Sequence, residues 1–226
     1  MGGSTAIHIL GLVYPSKTSI DAWGALGNEG WSWDKLVPYY QRFHTYRAPA
    51  KAAKEALGVN YVDTSMQGHS GPIQSSYPTF VNPLTKAWPK TLKSLGWPIT
   101  ADPLTGDSIG GFSGPYTVNP DGVVRSHAGN EYYAPIADRP NLHLQTEAQV
   151  TKILFEKGVE KPVASGVTFL HDGAHTTVKA RKEVILAAGV FNTAQILELS
   201  GIGSRDRKST RLNSSHSGES RMPSSA

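Results

Sequence analysis

The 226-residue sequence contains no cysteine, which excludes disulfides, thiolate metal sites, a thiol nucleophile and cysteine-ligated haem or iron–sulfur clusters. Long apolar runs are missing too. The longest, Val184 to Phe191, falls far short of the roughly 20 residues that cross a bilayer, so no membrane span is expected. No charged segment followed by an apolar one opens the chain, and Ala6 stands where a myristoylation site wants Ser or Thr. Charge of one sign is scarce outside one stretch. The net charge is +4, but Arg205, Arg207, Lys208, Arg211 and Arg221 crowd into the last 23 residues against Asp206 and Glu219. Without that stretch the balance is +1, which gives neither a nucleic-acid footprint nor an anionic-membrane patch. G-x-G-x-x-G, P-loop, H-E-x-x-H and G-x-S-x-G motifs are all absent, so the usual self-contained dinucleotide, nucleotide, zinc-protease and hydrolase readings lack their key residues.

What is present supports a core: 38% of residues are hydrophobic and 18% charged. In the first 47 residues, Ser19 or Asp21 is a candidate cap for a helix running to Leu26, which Gly27-Asn28 ends. Ser32 caps a second, whose Leu36, Tyr39, Tyr40 and Phe43 have the spacing of a buried stripe. Residues 48–82 read as loop with one short strand near Gly71–Ser76, because Gly, Pro and Ser interrupt every apolar run. Leu84, Ala87, Trp88, Leu92 and Leu95 suit a helix in which Pro89 makes a kink or starts a new helix and which Gly96 stops. Residues 97–128 are glycine-rich turns of the kind that form binding loops.

Beyond Pro140 the pattern changes to strands: Leu142–Thr146, Val150–Phe155, Gly166–Leu170 and Thr176–Lys179, with hairpin turns at Lys157-Gly158 and Asp172-Gly173, predict an antiparallel meander. Glu183–Ala187 reads as a buried parallel strand, followed by Gly189 and a helix from about Thr193 to Leu199 that ends at Ser200-Gly201. His171 and His175 have H-x3-H spacing but flank a turn with no third ligand in view, which weighs against a metal. After Gly203, eight of the last 23 residues are Ser and no apolar periodicity remains. That composition buries no core, and Arg207–Ala226 reads as a translated linker lying outside the fold.

Gly2-Gly3-Ser4-Thr5 by itself is a flexible start, or a turn whose backbone approaches a phosphate or a flat ring where no Cβ intervenes. Gly27–Asp34 by itself is a capping turn with two core tryptophans, and Ser200–Gly203 an ordinary helix end. Taken together and in order, Gly2–Ile7, Asp21-Ala22-Trp23, Leu26–Asp34, Gly71-Pro72-Ile73, Arg125-Ser126-His127-Ala128, Arg139–Val150 and Lys182–Gly203 resemble successive blocks of the glucose-methanol-choline (GMC) flavoprotein oxidoreductases, closest to fungal glucose-oxidase-like and alcohol-oxidase-like members.

That resemblance implies FAD as cofactor, a small-molecule alcohol or sugar as substrate, and oxygen or a quinone-type acceptor as oxidant. It implies an α/β fold with α+β character: the interior of a two-domain protein with a Rossmann-like FAD-binding domain bearing a β-meander, and a substrate-binding domain on an antiparallel sheet. The implied limits are flavin-contact segment 1–45, substrate-binding part 46–139, FAD-binding part 140–204, and a non-native or disordered tail 205–226. By position, Gly2, Gly3, Ser4 and Thr5 match the segment against the flavin and pyrophosphate. His8 stands where the family usually has Asn, next to an apparent insertion at Ile9-Leu10. Val150 matches a backbone contact to the adenine, and Ala188-Gly189 the strand end beside the ADP. The family's G-x-G-x-x-G and catalytic His fall outside the chain, and no histidine here matches that base. The chain alone is therefore expected to be inactive and to bind FAD weakly or not at all. The alternative is a non-enzymatic carbohydrate-binding or structural β-rich domain. The residues leave localisation open, secretion included.

Overall fold

The computed structural model describes residues 1–99 and 102–203, so the expected tail lies outside the described residues. The chain divides into two compact units, Met1–Leu142 and a second beginning at His143.

In the first unit, helix α1 (Lys17–Ala25) is capped by Ser16, whose hydroxyl accepts from the Ser19 N–H. The expected caps, Ser19 and Asp21, lie inside the helix instead. Asp21 serves the next helix, because its Oδ1 accepts from the Trp33 N–H at 2.8 Å. It thereby satisfies a free donor at the start of helix α2 (Trp33–Arg42), where the Ser32 side chain makes no cap. The Leu36, Tyr40 and Phe43 stripe packs with Val37 against a core of Leu12, Tyr14, Ile20, Trp33 and Leu104. Tyr39, expected in that stripe, faces solvent with the Arg42 guanidinium 4.4 Å over its ring. Of the two tryptophans expected in the core, Trp33 is buried. Trp31 is on the surface, its ring 5.0 Å from that of Trp23.

Strand β1 (His44–Arg47) is followed by helix α3 (Lys51–Leu57), a short Ala- and Lys-rich helix where the sequence predicts only loop. Strand β2 (Ile73–Ser76) pairs with β1 in parallel, His44 opposite Ile73. Helix α4 (Pro83–Ser94) begins at an Asn82 cap, runs through Pro89 and stops before Gly96 at φ 82°. Among the described residues, the glycine-rich stretch that follows contributes the two-residue strands β3 (Val118–Asn119) and β4 (Val124–Arg125), an antiparallel pair.

Beneath these elements lies a polar knot. Asp102 is buried and accepts from Asp63 N, Leu104 N and the Gln67 amide at 2.8, 3.0 and 3.1 Å. Burial pushes its carboxyl above the ordinary 3.8 despite those donors. His44 is fully buried, its Nε2 accepting from Gly68 N at 3.0 Å and its Nδ1 3.3 Å from the Tyr40 carbonyl. Desolvation holds it below the ordinary 6.5. The unfolded chain therefore takes up the His44 proton first, and the stability His44 confers is lost as pH falls below about 6.5. Asp102 acts oppositely at lower pH, since its raised value favours the folded form on protonation. Urea midpoints measured from pH 7.5 down to pH 5 are expected to fall, and to fall less steeply in His44→Gln.

The second unit is the predicted meander: β5 (Gln149–Phe155), β6 (Ala164–His171) and β7 (Ala174–Lys179), antiparallel throughout. Asp172 and Gly173, at φ 48° and 76°, make the tight turn between β6 and β7. Leu142–Thr146 is not a strand. It has no ladder partner among the described residues, and Glu147 breaks the run at φ 54°. Glu183–Ala187 likewise pairs with no strand among the described residues, and Ile185 is 78% exposed. An extended apolar segment becomes sheet only when a neighbour takes up its backbone groups, so the predicted parallel strand is not formed here. Helix α5 (Gly189–Leu199) starts four residues before the expected Thr193. Its end is fastened to the free edge of β5 by Ser200, whose hydroxyl accepts from Ile153 N at 2.8 Å and donates to the Ile196 carbonyl. Ser200→Ala orphans the Ile153 N–H and is expected to cost about 1–3 kcal/mol, read from the urea midpoint of this unit.

Candidate functional site

In the first unit, Gly3–Ala6 form a short 3-10 turn entered by Gly2 at φ 117° and Gly3 at φ 52°. Only residues free of a Cβ take those angles cheaply. A Cβ on Gly2 would also stand 2.7 Å from His127 Nδ1, whereas one on Gly3 would meet nothing within 4 Å. The turn thus has a closed side and an open side. Thr5 is on the closed side, its hydroxyl donating to the Gly2 carbonyl and accepting from Ala128 N. Gly3 and Ser4 are exposed.

His8 is fastened to the same body. Its Nδ1 accepts from Leu10 N at 2.8 Å and lies 3.2 Å from the Arg125 guanidinium, and its Nε2 is 3.5 Å from the Thr117 hydroxyl. Two donors aimed at Nδ1 leave the ring proton on Nε2. Arg125 also donates to the His8 carbonyl at 2.8 Å and the Thr5 carbonyl at 3.4 Å. The structure therefore brings Gly2, Gly3, Ser4, Thr5 and His8 together and adds Arg125, His127 and Thr117 to them. Arg125 and His127 lie in a block already distinctive in the sequence, yet no periodicity links positions 117 to 120 residues apart.

In the second unit, Val150 and Ala188 line one cleft of about 720 Å³, walled by the open face of the meander, the segment 183–188 and α5. Its polar groups include Gln149, Glu183, Asn192 and Gln195, none of them singled out as a site residue by the sequence. Ligand pockets run to about 300–1,000 Å³. Gly189 is the first residue of α5, at φ 84° with open space where a Cβ would stand. Its N-cap residue, Ala188, has no side chain able to cap it, which leaves the first backbone N–H groups and the helix dipole open to an anion. An apolar cleft of this size, with amide side chains and an uncapped helix start beside it, fits the adenosine and phosphate parts of a dinucleotide. Among the described residues no group of three or more His, Asp or Glu is placed to hold a metal ion, and no helix is long and apolar enough to cross a membrane.

Comparison with known proteins agrees with this chemistry. A family model described as GMC oxidoreductase matches residues 1–216. The GMC oxidoreductase family protein Mala s 12 of Malassezia sympodialis is 33% identical over 211 residues, which are 91% of this chain and 34% of that protein. A glucose oxidase of Aspergillus carbonarius is 36% identical over 210 residues, 90% and 34% of the two chains. Among solved structures, an FAD-dependent oxidoreductase from Chaetomium thermophilum superposes with a TM-score of 0.86 at 35% identity, covering 92% of this chain and 35% of the other. A fungal aryl-alcohol oxidase gives a TM-score of 0.75 at 30% identity, covering 89% and 34%. The chain spans about a third of the length of these relatives. FAD is the cofactor of this class of enzymes, and the chain belongs to the GMC oxidoreductase family.

Proposed function

We propose that this sequence forms part of an FAD-dependent oxidoreductase that oxidises an alcohol or sugar hydroxyl, with oxygen or a quinone-type compound as final acceptor. The observation that carries this reading is the 720 Å³ cleft, which has Val150 and Ala188, two of the expected ADP contacts, in its walls. When bound, FAD accepts the hydride from the alcohol carbon. Val150 would present its backbone to the adenine, and the N–H groups from Gly189 onward would hold the phosphates. Gly3 and Ser4, on the open side of their turn, would lie against the flavin, while Gly2, Thr5 and His8 hold that turn from behind. Residues 1–45 and 140–204 serve the cofactor and residues 46–139 the substrate. No residue of the described chain takes the role of base.

On this reading the 226-residue chain alone is inactive toward alcohols and binds FAD weakly, because the G-x-G-x-x-G turn that grips the pyrophosphate is not among its residues. A polypeptide of the relatives' full length carrying this sequence is expected to purify with FAD and to lose its yellow colour when a primary alcohol or sugar is added without oxygen. A full-length protein devoid of flavin would remove the reading.

A further inference from the structure

We propose that Arg125 is a positioning residue that sets the open side of the Gly2–His8 turn toward the flavin. The inference rests on the reading of that turn as a flavin contact. One guanidinium from β4 spans three acceptors of the turn: the carbonyls of His8 and Thr5 at 2.8 and 3.4 Å and His8 Nδ1 at 3.2 Å. All three contacts are made by one nitrogen, Arg125 Nη1, which carries the guanidinium charge and its N–H donors into the turn between Thr5 and His8.

The residues next to Arg125 complete the cradle. Ala128 N donates to the Thr5 hydroxyl at 3.0 Å, and His127 fills the space behind Gly2. Asn130 fastens the cradle to itself, its amide donating to the Arg125 carbonyl and its Oδ1 accepting from His127 N. Every one of these contacts is on the side of the turn opposite Gly3 and Ser4. The arrangement fixes which side faces away, and it fixes the His8 ring with its proton on Nε2, toward Thr117. Because Gly2 and Gly3 make the turn soft, some other part of the chain has to set its direction, and Arg125 makes the greatest number of contacts able to do so.

The test uses the ¹⁵N-labelled 226-residue chain, wild type and with Arg125→Met or Arg125→Lys. Without FAD, Arg125→Met is expected to speed hydrogen exchange of the Leu10 and Ala128 amides at least tenfold and to turn the Nε2–H signature of His8 into that of a mixture of both tautomers, with Arg125→Lys intermediate. With FAD added, Arg125→Met loses the shifts at Gly3 and Ser4 and keeps those at Val150 and Ala188, which lie in the other unit. Millimolar ethylguanidinium restores the Gly3 and Ser4 shifts in Arg125→Ala. Unchanged exchange and an unchanged His8 signature in Arg125→Met would overturn the proposal whether or not FAD binds. Altered exchange with FAD shifts retained at Gly3 and Ser4 would overturn it as well. Absence of FAD shifts in the wild-type chain, with the exchange effects present, strikes instead at the reading of the turn as a flavin contact.

Discussion

Gly71→Ala is expected to prevent the first unit from folding. A Cβ on Gly71 would stand 2.1 Å from His44 N, 2.2 Å from Phe43 C and 2.5 Å from the Arg42 carbonyl. All three atoms are backbone, at the junction of α2 and β1, so no side chain can swing aside. Relief requires parting Gly71 from His44 and Thr45, whose groups bond it on both sides at 3.1 and 2.6 Å, and with that the first rungs of the β1–β2 ladder. Overpacking that a core can absorb costs about 1–3 kcal/mol. This one cannot be absorbed, and a cost above about 4 kcal/mol takes most of the stability of a domain at the lower end of the usual range of about 5–15 kcal/mol. Gly11→Ala, with nothing within 4 Å of its Cβ, is the control and is expected to be near neutral. Urea unfolding followed by circular dichroism distinguishes them. A Gly71→Ala protein with the wild-type midpoint would show the close approach to be wrong.

Trp33→Ala is expected to cost about 3–5 kcal/mol, and Trp31→Ala, two residues away, about 1 kcal/mol or less. Trp33 lies in the middle of the first core, its ring 6.4 Å from that of Tyr14 and 6.3 Å from that of Tyr40. Gly106 closes over it so tightly that a Cβ there would fall 2.5 Å from the indole. Trp31 is 44% exposed and pairs only with a half-exposed Trp23. Truncation at 33 leaves a cavity that the surrounding rings cannot fill, whereas at 31 it removes one face of a surface pair. Thermal midpoints of the two variants in parallel check this, and equal losses would contradict the assignment of one indole to the core.

The meander was legible in the sequence because its strands carry β-branched residues and its tight turn an Asp-Gly pair, signals that act within a few residues. Helix α4 and the Gly201 end of α5 were legible for the same reason. The capping of α1 and α2 was not: Ser16, Ser19 and Asp21 have equally good chemistry, and the choice depends on where Trp33 N arrives from a dozen residues away. Glu183–Ala187 reads as a buried strand from composition alone, but a strand is a relation between two segments, and its partner is not among the described residues. The parallel pair that does form, β1 with β2, has only four rungs and no distinctive composition. Of the candidate site, the glycines were legible through their conformational freedom. Asn192 and Gln195 share a face of α5 through their i, i+3 spacing, but Arg125 as the residue holding the glycine turn, and Gln149 beside that helix face in the cleft, come together only through tertiary contacts that no spacing encodes.

The most direct measurement is a titration of the ¹⁵N-labelled 226-residue chain with FAD, followed amide by amide. The account predicts weak, roughly millimolar binding, with shifts gathered at Gly3 and Ser4 in one unit and at Val150, Ala188 and Gly189 in the other. Shifts elsewhere with these five unmoved, or no shift at any FAD concentration, would contradict it.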